Sequence, residues 1–140
     1  MKKRIGSFLL VFMALMTVCI PTTMAGDDTN IQPYYIGIAQ VTVALEIDTT
    51  TLGDLAESYG FVRVYDGYTA DVTLSLQRSK DKTDWSTIKS WEASGTEEIE
   101  IIKDYFVLDG YYYRVNILVY VYYPSGGMAE IVSKYSPIQP

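Results

Sequence analysis

The sequence predicts an all-β fold, a single antiparallel β-sandwich, over residues 34–137. Three observations carry that expectation. Apolar and polar residues alternate with a period of two, the side-chain period of a strand. The alternating segments are rich in β-branched and aromatic residues, which fit a pleated, half-buried surface. Clusters of Gly, Asp, Ser and Pro punctuate them at near-regular intervals, the pattern of a sandwich or barrel rather than a parallel α/β sheet.

In the first strand, Tyr35, Gly37, Ala39, Val41, Val43, Leu45 and Ile47 form one face, with Gln40, Thr42 and Glu46 on the other. Residues 49–57 read as a short helical turn. Strands over 61–65 and 72–78 follow, parted by Asp66-Gly67. A charged turn at 80–84 leads into a strand over 85–91, and Ser94-Gly95 turns into another over 97–103. Asp109-Gly110 opens the long strand 111–123, and Pro124-Ser125-Gly126-Gly127 turns it into a last strand over 128–135.

Residues 1–25 have the order of a secretory signal peptide. Lys2, Lys3 and Arg4 precede the apolar stretch 5–20, Pro21 ends it, and Thr23 and Ala25 supply small residues before Gly26. That stretch is 16 residues long, whereas a spanning helix needs about 20. Cleavage is therefore expected between Ala25 and Gly26, leaving 26–33 as a flexible tail. Cys19 is no lipidation site, because Val18 is bulkier than a lipobox allows.

Of the 140 residues, removal of 25 leaves 115, a length that suits one core. Eight cations then stand against 17 acids, a formal charge of −9, and no cysteine remains. Such an acidic surface repels phosphate backbones and anionic bilayers, so neither nucleic acid nor membrane is an expected partner. An exported domain without disulfides must be held by its core.

The run "DGYYYRV" sharpens the fold to an immunoglobulin/fibronectin-III-like sandwich. Tyr113 follows Asp109 by four residues and precedes Val115 by two. That is the place of the corner tyrosine in immunoglobulin domains, with Val where a half-cystine would follow. With "YYIGIAQVTVALEI", "LSLQRSKDKTDWSTIKSW", "YFVLDGYYYRV" and "EIVSKYS", the chain resembles a family of small secreted proteins of clostridial-type, Gram-positive bacteria, filed as a domain of unknown function. The resemblance spans roughly 34–136. It implies export and a β-sandwich, and brings no catalytic residue.

The chain has no histidine. Ser-His-Asp and Cys-His chemistry and ordinary zinc or copper sites are thereby excluded from the mature protein. A carboxylate pair acting on glycosides is the one enzymatic alternative, a distant one. "SKDKTDW" is similar to the Asp-box of β-propellers, but it lacks the central Gly and places Trp85 one residue too near Ser79. Lys80 and Lys82 beside Asp81 and Asp84 also disfavour a hard cation. No metal, cofactor or enzyme activity is expected.

The aromatic residues are the remaining lead. Trp85 and Trp91 read as sharing a strand face with Thr87 and Lys89, Ile88 lying opposite, in a structural hairpin with Trp91 inward and Trp85 near its edge. If Tyr113, Val115, Ile117, Val119 and Val121 are core, then Tyr112, Arg114, Asn116, Tyr120 and Tyr122 project together from the other side. Tyr, Arg and Asn on a rigid sheet form a plausible recognition surface, although tyrosine is also a common outer-strand residue. The expected function is a secreted, non-catalytic module that binds a glycan, peptide or surface protein. The alternative is a secreted effector or inhibitor of an extracellular enzyme. The sequence gives no wall-sorting motif, so release from the cell, or retention only through a partner, is expected.

Overall fold

The structure is a computed structural model and describes residues 34–140. The expected signal peptide, the expected tail and the expected cleavage site between Ala25 and Gly26 lie outside the described residues.

Seven strands follow one another: β1 (Ile38–Thr50), β2 (Gly53–Val64), β3 (Thr69–Ser79), β4 (Ser86–Thr96), β5 (Glu98–Val107), β6 (Tyr112–Tyr122) and β7 (Met128–Tyr135). They pair into two antiparallel sheets, three-stranded β1-β2-β5 and four-stranded β4-β3-β6-β7. The chain enters the second sheet at β3, returns to the first at β5 and crosses back at β6. This is an all-β sandwich of two antiparallel sheets.

Alternation builds the core between the sheets. On β3, Val72, Leu74 and Leu76 point inward; on β6, Tyr113, Val115, Ile117, Val119 and Val121 do so without a break. Ala56, Val62 and Val64 of β2, with Ile99 and Ile101 of β5, face them from the other sheet. Each such aliphatic side chain withdrawn from water contributes about 1.5–3 kcal/mol. Gly60 keeps the sheets close: a Cβ there would lie 2.8 Å from Leu74 Cδ1 and 3.1 Å from Ile117 Cδ1.

The corner is present. Tyr113 is 2% exposed. Its hydroxyl donates to Leu108 O at 2.6 Å and accepts from Leu108 N at 3.1 Å, binding the end of β5 to the start of β6. Burial pushes this phenol above its ordinary pKa, against the Leu108 contact, which lowers it.

Four local expectations are corrected. Residues 49–57 are no helical turn: β1 and β2 form a hairpin, closed where Thr50 Oγ1 donates to Gly53 O at 2.6 Å. The inner residues of β2 here are Ala56, Ser58 and Gly60, too small to print an apolar alternation. Ala39 is exposed, because a bulge between Ile38 and Gln40 leaves it unpaired and turns Ile38 inward. Ser94-Gly95 does not turn either. β4 continues to Thr96, and the switch to β5 uses Glu97 alone, at φ 65°.

The fourth correction concerns the two tryptophans. Lys89 opposes Leu76 and Thr87 opposes Gln77, so Ile88 is an extra residue in β4. Such a bulge inverts the phase of the strand. Trp91, opposite the buried Leu74, and Ile88 both pack on the core. Trp85 precedes β4 and lies on the other face. The two indoles share no platform.

The last residues are also tied in, past the expected boundary at 137. Tyr113 N donates to Gln139 O and Gln139 N to Tyr113 O, both at 2.8 Å. At the other edge, Glu130 Oε1 accepts from Gly37 N at 2.7 Å and joins β7 to the approach of β1.

Candidate functional site

The outer face of the four-stranded sheet follows directly from the inner one. With odd-numbered β6 residues buried, Tyr112, Arg114, Asn116, Leu118, Tyr120 and Tyr122 are half-buried on the outside. All five candidate residues of β6 therefore share one face. Antiparallel register brings neighbours beside each: Gln77 is opposite Arg114, Ser75 opposite Asn116 and Asp71 opposite Tyr120. From β7, Tyr135 is opposite Asn116, Ile131 opposite Tyr120 and Met128 opposite Tyr122. These three β7 side chains are more than half exposed. Sequence reasoning missed them, because pairing across the 124–127 turn is what places them there.

The five β6 residues do not form one cluster. Arg114 and Tyr120 are six residues apart, about 20 Å along a strand. At the first end, Arg114 Cζ lies 4.1 Å from the ring centroid of Trp85 and 4.1 Å from that of Tyr135. Its Nε donates to Gln77 Oε1 at 2.8 Å, and Gln77 Nε2 reaches Thr87 Oγ1 at 3.4 Å. Tyr112 lies nearby under Lys82, whose Nζ is 4.3 Å from its ring centroid. Cation–ring contacts of this kind are worth about 0.5–2 kcal/mol each.

The loop before β4 is built to hold Trp85. Asp81 Oδ1 accepts from the backbone of Thr83 and Asp84, each at 2.8 Å, and from Ser79 Oγ at 2.9 Å. The Asp84 and Thr83 amides, then the Ser79 hydroxyl, hold the Asp81 carboxyl below its ordinary range. Lys82 takes φ 63° within this turn, and its carbonyl accepts from Trp85 Nε1 at 3.1 Å. "SKDKTDW" is thus a self-bonded hairpin loop whose acid serves its own backbone.

In the middle of the face, Asn116 is structural. Its Nδ2 donates to Ser133 Oγ at 2.9 Å and to Lys134 O at 3.0 Å, which fastens β7 to β6. Only its carbonyl oxygen is left to face outward. Ser75 and Ser90 hydroxyls bond each other at 2.9 Å.

At the second end, Tyr120 and Tyr122 border a shallow depression of about 430 Å³ with Asp71, Thr73, Glu92, Ser94 and Met128. Partial desolvation first, then the Asp71 carboxylate, push the Tyr122 phenol above its ordinary pKa. Tyr122 therefore stays a neutral hydrogen-bond donor beside the Asp71 carboxylate. Among the described residues no three His, Cys, Asp or Glu side chains converge to hold a metal ion.

Comparisons of the chain with family models, with curated proteins and with solved structures find no match. The face must be read from its own chemistry.

Proposed function

We propose that this protein is a secreted, non-catalytic binding module that holds a glycan across the outer face of its four-stranded sheet. The observation that carries the reading is the pairing of Tyr120 and Tyr122 with Asp71 and Glu92 around one open depression. A sugar ring offers an apolar C–H face and a rim of hydroxyls. Tyrosine rings cover the first, and carboxylates with Thr73 and Ser94 accept from the second. The sheet holds these groups in place before the ligand arrives, so little ordering entropy is lost on binding. A peptide or surface protein is the competing ligand, favoured by the exposed Ile131 and Met128 at the margin.

The test uses residues 26–140 against a panel of insoluble and immobilised glycans, cell-wall material included. Wild type should be retained by at least one member. Tyr120→Ala with Tyr122→Ala should lose that retention by more than tenfold while melting cooperatively. A folded double variant retained as well as wild type contradicts the reading.

Export belongs to the same proposal and is supported by the order of charges, apolar residues and small residues before Gly26. Protein from the culture medium should begin at Gly26. Intact Met1 in the membrane fraction would contradict this.

A further inference from the structure

We infer that the ligand of this face carries an isolated carboxylate, bound by the guanidinium of Arg114, an inference that rests on the glycan-binding reading above. Arg114 is sandwiched: Trp85 and Tyr135 each approach its Cζ to 4.1 Å at the ring centroid. Its one hydrogen bond among the described residues leaves through Nε to Gln77. The group's plane and rotation are thereby fixed, and the two terminal nitrogens form an edge that donates to no acceptor among the described residues. That edge matches the two oxygens of a carboxylate in a bidentate pair.

Among the described residues no acid fills the role. Asp81 is committed to its own loop. Among the described residues the one ion pair is Arg63 with Glu98, on the other sheet. In a domain with more than twice as many acids as bases after signal removal, a stacked arginine without a carboxylate partner is a reserved cation. Trp85 and Tyr135 also offer their outer surfaces to a sugar ring next to the bound charge.

The rest of the face limits charge density. Asp71 and Glu92 lie toward the other end, level with Tyr120 and Leu118 of β6 and so about 20 and 13 Å from Arg114 by strand rise. They repel a chain bearing an anion on every residue and accept hydroxyls from neutral sugars. The fitting ligand is a mostly neutral glycan with sparse acidic residues, its carboxylate at Arg114 and neutral rings over Tyr120 and Tyr122.

The experiment titrates residues 26–140 with two sparsely carboxylated probes, a glucuronoxylan and a sialylated N-glycan. Each is paired with a derivative in which the carboxylates have been reduced to alcohols. At least one native probe should bind, and its reduced form should bind at least tenfold more weakly. Arg114→Lys, which keeps the charge but not the planar fork, should lose at least tenfold on the native probe and nothing on the reduced one. Equal affinity of wild type for native and reduced forms overturns the inference, as does binding confined to neutral glycans; both leave the glycan reading standing. Binding to no glycan at all overturns both. Because the native–reduced comparison uses wild type, the result holds even if Arg114→Lys folds poorly.

Discussion

Tyr113→Ala should remove most of the domain's stability margin. It deletes a large ring that is 2% exposed and breaks both Leu108 contacts at once. Loss of a buried aromatic to Ala costs about 3–5 kcal/mol, from a total of about 5–15 kcal/mol for a domain of this kind. Tyr113→Phe separates the two contributions. It keeps the ring and loses the hydroxyl bonds, at a cost of about 1 kcal/mol, since the Leu108 backbone is partly open to water. Urea unfolding followed by tryptophan fluorescence measures both. A Phe variant as stable as wild type would mean that the corner bonds do not hold β5 to β6, and an Ala variant losing under about 1 kcal/mol would contradict the burial itself.

The second large effect lies where the sheets come closest. Leu74 is fully buried, and truncation to Ala should cost about 2–5 kcal/mol. Gly60→Ala should also destabilise, by about 1–3 kcal/mol, because the new methyl meets Leu74 Cδ1 at 2.8 Å with Ile117 closing the other side. Combined, the changes should relieve each other, since the methyl of Ala at position 60 enters the space Leu74 vacates. The expected result is that Gly60→Ala is neutral or stabilising in the Leu74→Ala background, a coupling within about 0.5–3 kcal/mol. Strictly additive costs would contradict the contact.

Long apolar alternation was legible, and it placed the candidate face. In β6 five inward residues, Tyr113 to Val121, repeat every second position, so the outward set Tyr112 to Tyr122 follows by geometry alone. What stayed hidden has three physical causes. Small inner residues erased the pattern of early β2, where Ala56, Ser58 and Gly60 point inward and Gly60 makes room for Leu74. Single-residue bulges inverted the phase at Ala39 and again at Ile88, which is why Trp85 and Trp91 were read together and lie apart. Cross-strand partners depend on pairings distant in sequence. Nothing local signalled that Tyr135 would stack on Arg114, or that the Asn116 amide would be consumed by Ser133 and Lys134.

The claim that binding belongs to the outer face of the four-stranded sheet is tested most directly by amide chemical-shift mapping. Labelled residues 26–140 would be titrated with whichever glycan the panel retains. The predicted result is shifts concentrated at Asp71, Thr73, Gln77, Trp85, Glu92, Arg114, Tyr120, Tyr122 and Tyr135. Shifts concentrated instead on the outer face of the other sheet, at Tyr59, Phe61, Ile102 and Phe106, would contradict it.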